Sequence, residues 1–187
     1  ASTFDDMTGL LNLKNGVIHI DQLLVKKKLG DRIYSANAKG KIPVKSLTAA
    51  SDEWLDAPEQ IDLTLSLDRA DLSLLPILSP AVDWAVGPTK GKVRVTGTLA
   101  QPYFEGEISL TDGVLKLKDV AIPVTEMKAR LRFVGSTISL EDCTGKMGAG
   151  SYRITGRTAF SGARLQDYTL DFTADELGVV SSFYNGP

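Results

Sequence analysis

The sequence predicts an all-β protein: an elongated, curled sheet of about a dozen strands forming an open hydrophobic trough, with a short apolar helical segment near 72–86. Three observations predict it. Apolar residues recur with period two, which places them on one face of a strand. Glycines and polar pairs interrupt these runs where turns are needed. The chain also repeats itself: 62–67 is similar to 167–172, 11–20 to 131–140, and 34–40 to 152–156. Repetition at this spacing implies stacked structural units in place of one closed enzyme core. The chain is therefore taken as a single repetitive segment over 1–187, with units at roughly 1–68 and 89–173, a helical plug at 69–88 and the start of a second plug at 174–187.

The elements follow in order. Leu11 and Leu13 precede 16–20, and Tyr34 to Gly40 forms the next extended run. Ile61, Leu63, Leu65 and Leu67 alternate with Asp62, Thr64 and Ser66. Val93, Val95, Gly97 and Leu99 alternate with Lys92, Arg94, Thr96 and Thr98. Ile108 and Leu110 are expected to be joined to Leu115 and Leu117 by a hairpin turn at Thr111, Asp112 and Gly113, since Asp-Gly favours such turns. Further strands carry Leu131 and Phe133, Ile138 and Leu140, Tyr152 and Ile154, and Tyr168, Leu170 and Phe172. The helical expectation rests on the apolar run from Leu72 to Val86, with Ser79 as a helix cap, Pro80 in the first turn, and Gly87-Pro88 as the stop. It forms a plug over the end of the core. The stretch 177–183 starts the same element again, and 48–58 is an insertion between strands.

Composition bounds the function. With 43% hydrophobic and 24% charged residues the chain should fold, and a net charge of -2 spread singly gives no basic stripe for nucleic acid. Lys26, Lys27 and Lys28 form a solvated strand end. The one cysteine, Cys143, excludes an internal disulfide framework. No signal peptide and no apolar run of about 18 residues is present. Boundaries that fall inside repeat units point to a soluble piece of something anchored.

No catalytic set emerges, and the chain is not expected to be an enzyme. The one histidine, His19, falls opposite the apolar face and suits a surface strand position better than a general base. One His and one Cys far apart do not supply the converging ligands of a metal site. The glycines at 145–150 and 87–91 resemble phosphate loops only superficially, because both lead into strands where a phosphate site needs a helix N-terminus. Adjacent carboxylates such as Glu141 and Asp142, or Asp5 and Asp6, should point to opposite faces of a strand. No cofactor is expected.

What remains is the aliphatic face. It must be covered, either by a second sheet in a dry sandwich or by a ligand entering a trough. Stacked repeats favour the trough, and hydrocarbon suits it, because each buried methylene contributes about 0.8 kcal/mol whatever its exact placement. The expected lining is Leu63, Leu65, Leu67, Val93, Val95, Leu99, Ile108, Leu110, Leu115, Leu117, Leu131, Phe133, Ile138, Leu140, Ile154, Leu170 and Phe172.

The stretch from Gly91 to Leu117 carries a strand, then Gly97-Thr98-Leu99, Pro102 three residues on, and Gly106-Glu107-Ile108-Ser109-Leu110 with Gly113. This pattern resembles the repeat of the TamB family, in the AsmA-like group of bridge-type lipid transport proteins. Leu72 to Leu78 is similar to the family's short plug, and 7–47 and 130–177 extend the likeness, although Lys41-Ile42-Pro43 stands where Gly-Thr-Leu belongs. The resemblance implies an internal or C-terminal periplasmic segment of a protein held to the inner membrane by an N-terminal anchor absent from this fragment. It implies a β-taco that carries phospholipid acyl chains toward the outer membrane and supports outer-membrane biogenesis. An outer-membrane barrel of the Omp85 type, such as TamA, is the implied partner in a translocation and assembly module. The competing expectation is a scaffold or chaperone for outer-membrane barrel assembly, working through strand pairing at the sheet edge.

Overall fold

The computed structural model describes residues 6–29, 31–43, 60–98, 101–161 and 164–176. Four strands come first: β1 (Asp6–Lys14), β2 (Val17–Leu29), β3 (Arg32–Pro43) and β4 (Ile61–Asp71). A 3₁₀ turn (Leu72–Leu74) then runs into a single helical turn, α1 (Leu75–Leu78). Seven strands follow: β5 (Val82–Val86), β6 (Pro88–Gly97), β7 (Pro102–Leu117), β8 (Val124–Gly135), β9 (Thr137–Met147), β10 (Gly150–Ser161) and β11 (Arg164–Asp175). All eleven described strands belong to one open antiparallel sheet, ordered β1-β2-β3-β4-β6-β7-β8-β9-β10-β11, with β5 paired to β7. Apart from β5, strand order follows chain order, and short connections join β1 to β2, β2 to β3, and each of β6 to β10 to the next strand. The first hairpin shows the chemistry: Asn15 and Gly16 both take positive φ, 53° and 74°, matching the twist of the strands they join.

The sequence-similar stretches fold alike. Leu11 lies opposite Ile20 and Ile20 opposite Gly40, with a bulge in β2 directly after Ile20. Leu131 lies opposite Leu140 and Leu140 opposite Gly156, with a bulge in β9 directly after Leu140. On the following ladder Leu63 faces Gly40 and Leu170 faces Gly156, so Leu63 corresponds to Leu170. Sequence similarity alone sets Leu65 against Leu170. The two-residue difference leaves each side chain on its face.

Two expected elements differ. Within 72–86 only Leu72–Leu74 and Leu75–Leu78 are helical, and Val82–Val86 is a strand. The 3₁₀ turn is capped by Asp71, whose carboxylate accepts from the Ser73 N–H at 2.8 Å, in place of the cap expected at Ser79. The helix stops after Leu78; Val82 and Ala85 then bury against the far half of β7, where Val82 faces Leu117 and Ala85 faces Leu115. Pairing with a strand already in place overrides the weak helical preference of a short run with two prolines.

The expected hairpin at Thr111, Asp112 and Gly113 is absent, and β7 runs unbroken through it as a bulged strand. A tight turn of this type needs left-handed backbone at both central residues. Asp112 has φ 53°, while Gly113 stays in the ladder opposite Met127. Facing this bulge, the chain breaks between β5 and β6 at Gly87, with φ 151°. A Cβ there would lie 2.7 Å from the Gly113 Cα, so only glycine lets the two backbones meet. Asp71 fastens the junction: its second carboxylate oxygen accepts from the Gly87 N–H at 2.9 Å, and the Leu72 N–H donates to the Gly87 carbonyl at 2.8 Å. The buried cluster lies toward this end, around Val124, Cys143 and Tyr152. The insertion at 48–58 and the second plug at 177–183 lie outside the described residues.

Candidate functional site

Residues directly opposite in an antiparallel ladder share a face, so the register places the lining residues. Leu63, Leu65 and Leu67 of β4 face Val95, Val93 and Gly91 of β6. Those in turn face Phe104, Gly106 and Ile108 of β7, with Leu110 one pair further along, opposite Thr89. Ile108 faces Leu131, Gly106 faces Phe133, and Leu131 and Phe133 face Leu140 and Ile138. Ile154 on β10 faces Phe172, and Gly156, opposite Leu140, faces Leu170 on β11. Leu115 and Leu117 continue the row on β7 opposite Ala85 and Val82. Sixteen of the expected lining residues thus stand on one continuous face, and Leu99 lies outside the described residues.

The same ladders extend this face to residues the sequence reading left out. Leu13, Leu11, Ile18, Ile20, Leu23 and Val25 continue it across β1 and β2. The parity there switches at the β2 bulge, from Ile20 to Leu23, which disguises the alternation. Phe104 extends it on β7; its ring centroid lies 5.9 Å from that of Phe160 on β10.

Exposure varies along the face. Leu67, Val93 and Leu110 in the middle are 8%, 7% and 5% exposed, whereas Leu11 on β1 and Leu170 on β11 are 60% and 65% exposed. Bulky side chains alternate with glycines, leaving low floor between them. Gly106 is one such position, with φ 142°; a Cβ there would lie 2.0 Å from the Lys92 carbonyl oxygen.

The opposite face is polar and held by exposed cross-strand ion pairs. Arg94 Nε and Nη2 donate to the two carboxylate oxygens of Asp62 at 3.0 and 2.9 Å, and this fork holds the Asp62 carboxyl below the usual aspartate range. Glu141 and Asp142 both lie on this side, pairing with Arg132 and Arg153. The expected opposite orientation fails because the β9 bulge inserts Glu141 between Leu140 and Asp142. His19 is exposed here, opposite Asn12 and Lys41. A depression of about 460 Å³ on this face has Lys128, Lys146 and Arg153 beside Glu126 and Asp175, with Lys146 bound to Glu126 at 2.8 Å.

Reactive groups on the aliphatic face are muted. Burial pushes the Cys143 thiol and the Tyr152 phenol, neighbours in the buried cluster, up from their ordinary values. Both stay neutral near pH 7, so neither supplies a nucleophile or a charge. Among the described residues, no group of three or more His, Cys, Asp or Glu is placed to hold a metal ion, and no helix is long and apolar enough to cross a membrane. This geometry sets a continuous aliphatic face on one side of the sheet against a polar, ion-paired face on the other. A scan against protein-family models matched none, and searches of curated proteins and of solved structures likewise found no match.

Proposed function

We propose that this protein carries phospholipid acyl chains along its aliphatic face, as a segment of a periplasmic bridge between inner and outer membrane that supports outer-membrane biogenesis. The observation that carries the reading is the ladder register, which joins aliphatic side chains of successive strands into one face, exposed at β1 and β11 among the described residues. The TamB-like repeat at 91–117 supplies the cellular setting.

Two features support a trough in place of a plane. Every described ladder except β6–β7 contains a register shift, and bulged strands bend. Bends repeated from strand to strand fold a sheet lengthwise, with the channel running across the strands. The Phe104–Phe160 contact brings together side chains from strands with two others between them. Ten strands along the main path span about 43 Å at roughly 4.8 Å per step, against about 15 Å for the acyl region of one bilayer leaflet. One chain would occupy part of the track and could slide along it, because aliphatic contact stabilises by area and sets no register.

The test is photo-crosslinking in the presence of labelled phospholipid, with a photoreactive residue at Leu131 on the aliphatic face or at Arg132 on the polar face. Lipid adducts at 131 and none at 132 are expected. Equal labelling at both positions, or none at 131, would refute the reading.

A further inference from the structure

We propose that a cavity beside the 3₁₀ turn (Leu72–Leu74) is a binding site for one structural water, which accepts a hydrogen bond from the Ser73 hydroxyl, donates one to the Asp71 carboxylate and so completes the polar network that fastens the turn to the sheet. This inference does not depend on what the aliphatic face holds.

Outside the Cys143–Tyr152 cluster, the buried polar side chains among the described residues are Asp71, Ser73 and Thr89, and all three meet where the turn joins Gly87. Two of them are satisfied. Asp71 accepts from the Ser73 N–H at 2.8 Å and from the Gly87 N–H at 2.9 Å, and the Thr89 hydroxyl donates to the Gly87 carbonyl at 3.2 Å. Ser73 is the exception: it is 5% exposed, and its hydroxyl has no hydrogen-bond partner in the chain. A buried hydroxyl without a partner forfeits the bonds it makes to solvent in the unfolded chain, so native structures seldom keep one.

Ser73 and Asp71 both line the cavity, whose remaining wall comes from β2, β3 and the end of β4. Ser35, Ala36 and Ala70 on that wall border the register shifts of β4 against β3 and against β6, where a bulge opens the ladder. The volume is about 10 Å³, and a single water needs roughly 10–15 Å³ on the same measure. Size therefore selects water over any organic ligand or hydrated ion.

The chemistry of the wall agrees. Each Asp71 carboxylate oxygen holds one N–H donor and has a lone pair to spare, so the acid can accept from a water as well. Lys26, also on the wall, has its ammonium 3.8 Å from the Asp6 carboxylate and is engaged there. Val25, Ala36 and Ala70 offer apolar side chains, which leaves the Ser73 hydroxyl and Asp71 to orient the water.

Two measurements on the full chain test the site. A high-resolution crystal structure should show a water within about 2.5–3.0 Å of both the Ser73 Oγ and an Asp71 carboxylate oxygen. Thermal unfolding of Ser73→Ala gives a sign that separates a hydrated hydroxyl from a dry one. If the water is bound, the substitution removes a hydrogen bond and the midpoint should fall by about 3 °C. If the hydroxyl is dry and unpaired, deleting it relieves a cost and the midpoint should rise. The proposal is overturned by a cavity without water density, by a Ser73 hydroxyl turned to a protein acceptor, or by a midpoint that is unchanged or raised in Ser73→Ala.

Discussion

The rings of Phe104 and Phe160 sit 5.9 Å apart, tilted by 54°, although β8 and β9 lie between their strands. Three strand steps of about 4.8 Å would separate the backbones by about 14 Å in a flat sheet. The residue opposite Phe104 on β8 is Gly135, which has no side chain to hold the rings apart. The Phe160 N–H also donates to the Ser136 carbonyl at 2.9 Å, drawing β10 toward the β8–β9 turn. Side chains from both sides of this hairpin therefore close over its tip on the aliphatic side.

This contact predicts a coupling. In a double-mutant cycle with Phe104→Leu and Phe160→Leu, chemical denaturation should give an interaction energy of about 0.5–1.5 kcal/mol, the range for aromatic pairs beyond their area burial. Strict additivity would mean the rings do not support each other.

The junction at Gly87 predicts a contrast between glycines. Gly87→Ala should destabilise by about 3 kcal/mol, because positive φ costs roughly 1–2 kcal/mol and the clash with Gly113 adds an overpacking cost of similar size. Gly16→Ala, with φ 74° and open space around it, should lose only about 1–2 kcal/mol. Equal losses in thermal unfolding would show that the Gly87–Gly113 approach is not a constraint.

Acid should weaken the polar face through Asp62. Its folded pKa is lowered from 3.8, chiefly by the hydrogen bonds from Arg94, so the carboxylate holds fewer protons folded than unfolded. The stabilisation is present above the unfolded value and is lost as pH falls through the folded one. Carboxyl chemical shifts should show Asp62 titrating below 3.8 and moving up in Arg94→Gln. An unchanged midpoint in the variant would contradict the assignment to Arg94.

Much of the sheet was legible because period-two alternation carries directly into facing. Leu63, Leu65 and Leu67, or Leu131 and Phe133, needed no tertiary information to be placed. Bulges were not legible. The side chains at Glu141 and Asp142 and the parity switch between Ile20 and Leu23 depend on which residue a neighbouring strand leaves unpaired. Val82–Val86 was hidden for a related reason: its partner, β7, is a strand whose continuity through Asp112 the Asp-Gly pair argues against. Local preference marked a helix and a turn there, and long-range pairing replaced them with two strands.

The central claim is that the face joining β4 to β11 binds hydrocarbon, and phospholipid retained by the purified chain, quantified by mass spectrometry, tests it most directly. Leu131→Arg puts a guanidinium on that face, and Glu105→Arg puts one on the polar face of the adjacent strand. Desolvating a charge against an acyl chain costs more than the roughly 1.4 kcal/mol that corresponds to tenfold. With both variants folded by circular dichroism, Leu131→Arg should lose about nine-tenths of its lipid and Glu105→Arg should match the parent. Lipid content unchanged in Leu131→Arg, or lost equally in both, would contradict the account.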